Sequence, residues 1–147
     1  RERALYLLSY REHSSKELTD KLLRGYDADI AQQVVDKMEE IGLLDDMRYG
    51  RTLAKSLIEH KKFGLQRASY EMRNKGLDRE LIEELLAPYE EQDPRDAIRE
   101  IVQRKYVRYL GDLKGNQKVI GALARMGYRY DDIKAVIRDY MEEEEDY

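Results

Sequence analysis

The chain has 147 residues, no cysteine, 39% charged residues and a net charge of −4. This length suits one ordinary domain or several small units in a row. The lack of cysteine excludes disulfides and thiolate metal sites and suits a reducing cytoplasm, and no apolar run is long enough to span a bilayer. Two prolines and few β-branched runs predict an all-helical protein. The chain starts without Met inside a predicted helix, so we expect it to be trimmed.

The net charge conceals alternating blocks of opposite sign. Residues 48–77 and 95–138 each carry a net charge of +6, and the intervening and flanking segments are acidic. A charge run is usually a solvated face, but blocks this lopsided can present basic patches to an acidic partner. The acidic total therefore does not exclude nucleic acid or an acidic protein surface as the partner.

Apolar residues recur at helical spacing along the whole chain, and capping residues mark several starts. Ser14 or Ser15 precedes the second helix, and Asp93 with Pro94 is typical of an N-cap followed by proline at the first helical position. Residues 111–115 are predicted to form a loop. The nine predicted helices are about 2–12, 15–24, 27–41, 46–62, 65–75, 78–86, 94–107, one around 119–123 and one around 133–140.

The segment at residues 41–49 closes one helical unit and opens the next. Gly42 is expected to take the left-handed conformation that ends a helix. Leu43 and Leu44 are expected to pack between neighbouring bundles, and Asp45 or Asp46 to cap the helix that follows. The simplest interpretation of both aspartates is a well-capped helix connection.

A repeat of 51 residues organises the chain. Gly25, Gly76 and Gly127 are each followed by a large apolar or aromatic residue and, nine and ten positions later, by an apolar pair. Three matches in register predict tandem three-helix repeats. Units of about 50 residues bury small cores alone, so we expect them to stack into an elongated curved rod.

Enzyme chemistry finds little support in the sequence. His13 and His60 fall in different repeats without the carboxylate spacing of a metal site, and no glycine-rich phosphate loop or nucleophile elbow is present. The sequence therefore predicts a protein that is not an enzyme and needs no cofactor.

Tyrosine is the main aromatic residue, with 12 copies against one Phe and no Trp. Such residues can stack on single-stranded nucleic acid, or can replace Phe in packing while the hydroxyl reaches a polar partner. Tyr26, Tyr49 and Tyr128 are expected to pack in the interior. Tyr106 and Tyr109, among basic residues, are expected to be exposed.

The segment LLDDMRY at residues 43–49 resembles the Leu-Asp-Asp-x-Arg-Phe/Tyr signature of the RecX family, regulators of the RecA recombinase. Similar features are His13-Ser14 after an apolar helix, Phe63-Gly64 before the fifth helix and Lys75-Gly76-Leu77. The first repeat reads Arg24-Gly25-Tyr26 where the family more often has lysine, and the third repeat is diverged. The matching signature residues are Leu44, Asp45, Asp46, Arg48 and Tyr49.

The resemblance implies an all-α fold of three tandem three-helix repeats, at 1–44, 45–92 and 93–142, followed by an acidic tail at 143–147 that we expect to fray. It also implies a cytoplasmic monomer that binds the RecA nucleoprotein filament in its groove. Such binding inhibits the ATPase and strand exchange of RecA and so regulates DNA recombination, repair and the SOS response. The candidate residues for contact with the filament or with DNA are Arg48, Arg51, Lys55, Lys62, Arg67, Arg73, Lys75, Arg104, Lys105 and Arg108.

Two alternatives stay open on the residues alone. The chain could be a stand-alone DNA-binding module, because three-helix units resemble helix-turn-helix domains. It could also be a helical scaffold that binds peptides along a concave face. Direct contact with single- or double-stranded DNA would differ from filament binding by its steep dependence on salt in the absence of RecA.

Overall fold

The chain folds into helices and connecting turns throughout the described part of the computed structural model, which covers the backbone of residues 1–145 and the side chains of residues 1–142. This confirms the all-helical prediction. The α-helices of this part of the chain are α1 Glu2–Tyr10, α2 Ser15–Leu22, α3 Ala28–Glu40, α4 Asp46–Lys55, α5 Leu65–Asn74, α6 Arg79–Leu86, α7 Pro94–Ile101, α8 Leu113–Arg125 and α9 Tyr130–Glu145.

Two of these helices continue in a different helical form. A π-helical turn, Ser56–His60, extends α4, and a second one, Val102–Tyr106, extends α7. A 3-10 turn at Val107–Tyr109 follows the second, and another at Ala87–Glu91 follows α6. The fourth and seventh helices therefore have close to their predicted lengths, but the backbone widens within each of them.

Side-chain caps set the helix starts at the predicted places. The Ser14 hydroxyl accepts a hydrogen bond from the Glu17 amide at 3.0 Å, and the Glu17 carboxylate accepts one from the Ser14 amide at 3.1 Å. Asp27 caps α3, and Asp93 caps α7 with Pro94 in the first turn. These contacts satisfy amide groups that a helix start leaves without intrahelical partners.

The predicted loop at residues 111–115 is too long. In the structure α8 already begins at Leu113, because the carboxylate of Asp112 accepts a hydrogen bond from the Gly115 amide at 2.6 Å. A side-chain N-cap here outweighs the low helix propensity of Gly115.

The chain divides into two compact units. Unit 1 contains residues 1–55 and 70–85, and unit 2 contains residues 56–69 and 86–147. The division falls within α5, so this helix contributes its first half to unit 2 and its second half to unit 1. The units therefore do not follow the predicted repeat boundaries, which remain a prediction.

The core of unit 1 includes a cluster from α1, α2 and α3. Its buried members are Ala4, Leu18, Leu22, Ala31, Val35, Met38 and Leu44. Leu44 is buried in this cluster, and its expected packing between bundles stays a prediction. Leu43 is 44% exposed and does not fill a gap between bundles. Tyr26 is likewise 44% exposed, contrary to the expected interior position.

The core of unit 2 brings together α7, its π-helical extension, α8 and α9. Its buried members are Ile98, Ile101, Val102, Val119, Leu123, Tyr128, Ile133, Val136 and Ile137. Tyr128 is buried as predicted, and its hydroxyl donates a hydrogen bond of 2.6 Å to the Lys62 carbonyl. Burial raises the pKa of Tyr128 to about 12.

The three repeat glycines do not share one conformation. Gly76 and Gly127 have φ values of +92° and +98°, and in each turn the next amide bonds back to a carbonyl five residues earlier. Gly25 lies outside the left-handed region, and the Tyr26 amide bonds only four residues back, to Leu22. The turn at Gly25 therefore differs from the turns at Gly76 and Gly127. Gly42 is left-handed as predicted, at +81°.

The last helix extends into the acidic C-terminal segment. The backbone is helical through Glu145, which includes part of the segment where we expected fraying. The remainder of the predicted tail, residues 146 and 147, lies outside the described residues.

Candidate partner-binding surfaces

The two aspartates of the LLDDMRY segment have different roles. The Asp45 carboxylate accepts a hydrogen bond from the Arg48 amide at 3.1 Å and so caps α4. The Asp46 carboxylate instead accepts two hydrogen bonds of 2.7 Å from Ser15, one from its amide and one from its hydroxyl. Asp46 therefore holds the start of α4 against the start of α2, a long-range role that the sequence analysis did not assign.

Arg48 and Tyr49 also interact with other residues of unit 1. The Arg48 guanidinium lies 2.8 Å from the Glu12 carboxylate and donates a 3.0 Å hydrogen bond to the Gly42 carbonyl. Burial and the neighbouring Glu17 carboxylate raise the pKa of Tyr49 to about 12. The signature thus fastens α4 to the connection between α1 and α2, and Arg48 is engaged in that contact.

Unit 1 carries four of the other predicted contact residues, Arg51, Lys55, Arg73 and Lys75, and all four are exposed. Arg51 and Lys55 are four residues apart on α4 and so share one face of this helix. Among the described residues, none of these four side chains forms an ion pair. They are available to an anionic partner.

The predicted contact residues of unit 2 are partly engaged. Arg67 lies over the Phe63 ring at 4.5 Å and donates a 2.7 Å hydrogen bond to the Arg125 carbonyl. Lys62 has a left-handed backbone with φ of 61° and lies beside Tyr128. Contacts within unit 2 therefore account for the placement of Arg67 and Lys62, and no external binding partner is needed to explain it.

Arg104, Lys105 and Arg108 are all exposed at the end of the seventh helix. Arg104 lies 3.7 Å from the Glu100 carboxylate, and Arg108 donates a 2.9 Å hydrogen bond to the Tyr109 hydroxyl. Lys105 forms no ion pair within the described part of the chain. Solvent screens such exposed pairs, so an anionic ligand can compete for these arginines.

Tyr109 carries cations around its ring. The guanidinium of Arg108 lies 4.9 Å from the ring centroid and the ammonium of Lys118 lies 5.6 Å from it. Tyr109 is 39% exposed as expected, but Tyr106 is half-buried and packs against the core of unit 2. One exposed ring with two cations can stack on a base and bind its phosphate.

His13 is buried beside charged groups. One ring nitrogen lies 3.0 Å from the Arg11 carbonyl and the other lies 2.8 Å from the Lys21 ammonium. Burial lowers the pKa of His13, because the charged imidazolium loses hydration there. In the described residues, no three His, Cys, Asp or Glu side chains are grouped as metal ligands would be, and no helix is both long and apolar enough to cross a membrane.

Comparison with known proteins matches all three predicted repeats. The family models for the first, second and third three-helix domains of RecX match residues 1–38, 45–86 and 91–137. The regulatory protein RecX of Xanthomonas axonopodis pv. citri (strain 306) is 35% identical over 97% of this chain and 88% of its own length. That of Stenotrophomonas maltophilia (strain R551-3) is 36% identical over 93% of this chain and 84% of its own.

A solved structure has the same fold. The crystal structure of RecX from Lactobacillus salivarius superimposes with a TM-score of 0.79 at 22% identity, over 95% of this chain and 92% of that chain. The LLDDMRY segment, the three domain matches and the relatives over nearly the whole length agree. This chain belongs to the RecX family.

Proposed function

We propose that this protein binds the RecA nucleoprotein filament in the cytoplasm and lowers the ATPase and strand-exchange activity of RecA, without catalytic chemistry of its own. The observation that carries the proposal is family membership across all three three-helix domains. The regulatory name of the relatives supports the same class of function.

The exposed cations support a binding role. Arg51 and Lys55 are exposed on α4, whereas Ala54 and Leu57 of the same helix and its π-helical extension are buried. Unpaired cations on one helix face can meet the carboxylates of a protein or the phosphates of DNA. Contacts with neighbouring subunits of a filament would strengthen one another through effective concentration.

The test is ATP hydrolysis by RecA on single-stranded DNA, measured with increasing amounts of this protein. We expect the rate of hydrolysis to fall as the protein binds the filament. An unchanged rate, with no co-sedimentation of the protein with RecA–DNA filaments, contradicts the proposal.

Direct DNA binding is the second candidate function, and the cation-flanked ring of Tyr109 favours it. It predicts binding to labelled single-stranded DNA without RecA, with an affinity that falls steeply as salt rises. If the protein binds the RecA–DNA filament but not single-stranded DNA alone, its affinity for the filament comes from contact with RecA.

A further inference from the structure

An open groove crosses the surface of unit 2. Its cavity volume is ≈ 1110 Å³, and it is lined by three stretches of the chain within residues 58–66, 89–100 and 127–132. Small-molecule pockets usually measure about 300–1,000 Å³, so this groove has room for a short peptide segment.

The groove walls are predominantly acidic. Seven carboxylates and two basic side chains, Lys62 and Arg129, line it. Glu59, Glu90 and Glu91 are exposed and have no ion-pair partner in the described part of the chain. The lining carboxylates outnumber the two lining cations, so these three glutamates leave the groove with a negative potential.

The other four carboxylates are already engaged. Asp93 accepts a hydrogen bond from the Arg95 amide at the start of α7. The remaining three pair with arginines, at 2.9, 3.0 and 3.7 Å. These pairs are Asp96 with Arg99, Asp132 with Arg95 and Glu100 with Arg104. The uncompensated negative charge is thus concentrated at Glu59, Glu90 and Glu91.

Apolar side chains lie between the charged walls. Ile58, Phe63, Leu65 and Tyr89 are partly buried and contribute carbon surface to the groove. Burial and the nearby Glu59 carboxylate raise the pKa of Tyr89, in keeping with a negative local environment. A ligand that fits both features must bring apolar groups together with positive charge.

This chemistry discriminates among ligand classes. Nucleic acid would place phosphates against unpaired carboxylates and is repelled. An amphipathic protein segment with Lys or Arg beside apolar residues complements both the walls and the floor of the groove. We propose that the groove binds a basic, apolar-bearing segment of the protein partner, and that DNA is excluded from it.

This inference rests on the proposed function for the identity of the partner, which would be the recombinase itself. It assigns protein contact to the acidic groove of unit 2. Cationic faces such as that of Arg51 and Lys55 stay available for other contacts. Charge complementarity of this kind contributes to the association rate and to specificity, and it weakens as salt rises.

The test uses a fluorescent ten-residue peptide of alternating Lys and Leu, and a second peptide in which every Lys is replaced by Glu. Fluorescence anisotropy with the full chain measures binding of each peptide over a range of salt concentrations. The groove variant is the double substitution Glu90→Lys with Glu91→Lys. The matched control is Glu83→Lys with Glu84→Lys, which changes the net charge equally at two exposed, adjacent glutamates that do not line the groove.

We expect the Lys peptide to bind the native chain and the control variant. Binding to the groove variant should be at least about tenfold weaker at low salt, the change that about 1.4 kcal/mol produces. The Glu peptide should not bind. If both variants lose binding equally, binding depends on the total charge of the protein and not on the groove, which contradicts the proposal. If the groove variant binds the Lys peptide as tightly as the native chain does, the proposal is overturned directly.

A parallel measurement with RecA filaments separates this inference from the proposed function. If the native chain binds filaments and the groove variant binds them as tightly, the groove is not the protein-contact site although the proposed function stands. If the native chain binds the Lys peptide in the groove but not the filament, the groove binds basic segments and the proposed function fails. Loss of filament binding in the groove variant alone supports both.

Discussion

A Cβ atom added to Gly127 would lie 2.3 Å from the Cβ of Arg67, so the start of α5 packs directly on the turn that ends α8. The same contact recurs 51 residues earlier, where a Cβ on Gly76 would lie 2.7 Å from the Cβ of Lys16 at the start of α2. The carbonyl before each glycine accepts a hydrogen bond, from the Ser14 hydroxyl in one case and from the Gly64 amide at 2.8 Å in the other.

This repeated contact distinguishes Gly76 and Gly127 from Gly25. Within the described part of the chain, no atom beyond its two neighbouring residues lies within 4 Å of the position that the Cβ of Gly25 would occupy, so no helix start packs on this turn. Of the three repeat glycines, the two with a left-handed backbone are the two on which another helix start packs. The 51-residue repeat is therefore a repeat of tertiary contacts at Gly76 and Gly127 only.

The first prediction replaces each repeat glycine with alanine. A left-handed alanine costs about 1–2 kcal/mol, and overpacking costs typically about 1–3 kcal/mol more. Gly127→Ala should be the most destabilising change, because its Cβ would lie 2.5 Å from the backbone nitrogen of Arg67, whereas at Gly76 it meets side-chain atoms of Lys16 and Ser14. The measurement is the free energy of unfolding in urea.

Gly25→Ala is the matched control. It should leave the free energy of unfolding unchanged or raise it by up to about 1 kcal/mol, because alanine restricts the unfolded chain. Similar losses of stability in all three variants would contradict the assignment of this contact to Gly76 and Gly127 only.

The second prediction compares the two aspartates of the LLDDMRY segment. Asp46→Ala removes both hydrogen bonds to Ser15 and should cost about 1.5–3 kcal/mol, the usual range for a hydrogen bond to a charged group. Asp45→Ala removes a helix cap and should cost about 1 kcal/mol. Urea unfolding measures both. Ser15→Ala combined with Asp46→Ala should cost little more than Asp46→Ala alone, and full additivity would show that these two side chains do not interact.

Local sequence features predicted most of the helices because local contacts decide them. Ser14, Asp27 and Asp93 each cap a helix with their own side chains, so their spacing from the apolar positions is sufficient to locate the start. Tertiary contacts decided the exceptions. Tyr26 follows a glycine turn as Tyr128 does, but only Tyr128 is buried, because the connection carrying Lys62 packs on it.

The candidate surfaces were less predictable than the fold. The pairing of Arg48 with Glu12 joins residues 36 positions apart, and nothing in the local sequence signals it. The acidic groove draws its lining from three separate stretches of the chain, so no single stretch carries its pattern. The charge blocks of the sequence predict basic segments, but they do not reveal an acidic groove assembled from distant stretches.

The third prediction concerns stability against pH. Burial lowers the pKa of His13 in the folded protein, so the unfolded chain, with a pKa near the ordinary value of about 6.5, binds a proton more readily. The contribution of His13 to the free energy of unfolding should therefore be complete above about pH 6.5, and the free energy of unfolding should fall as the pH drops below this value. Protonation would also place the imidazolium against the Lys21 ammonium, 2.8 Å away.

His13→Gln supplies the test of this pH dependence. Its free energy of unfolding, followed by urea titration between about pH 7.5 and 5.5, should be lower than that of the native chain and nearly flat across this window. The exposed His60, replaced by Gln, is the control and should keep the native slope. A native slope in the His13 variant would assign the pH dependence to other groups. A loss of folding stability at still lower pH belongs to carboxylates such as Glu17. Burial alone would raise the pKa of Glu17, but the hydrogen bonds from the Ser14 amide and from Arg11 hold this pKa below its ordinary value.

The last prediction tests the exposed cationic face of α4. Arg51→Glu with Lys55→Glu should leave helicity and melting temperature nearly unchanged, because exposed charges contribute only about 0.2–1 kcal/mol to stability. Contacts with an anionic surface contribute on the order of 1 kcal/mol each, so the double variant should inhibit RecA at least about tenfold less well. The measurement is ATP hydrolysis by RecA on single-stranded DNA against variant concentration, with circular dichroism to confirm the fold.

Lys134→Glu with Arg138→Glu is the matched control for this face, since it reverses two exposed cations, also four residues apart, on α9. It changes the net charge by the same amount, so a general electrostatic effect would weaken inhibition equally in both double variants. Loss of inhibition only in the α4 variant places the contact at Arg51 and Lys55. Full inhibition by a folded α4 variant would show that these side chains are solvated and contribute nothing to binding, and Arg48, held by Glu12, could not substitute for them.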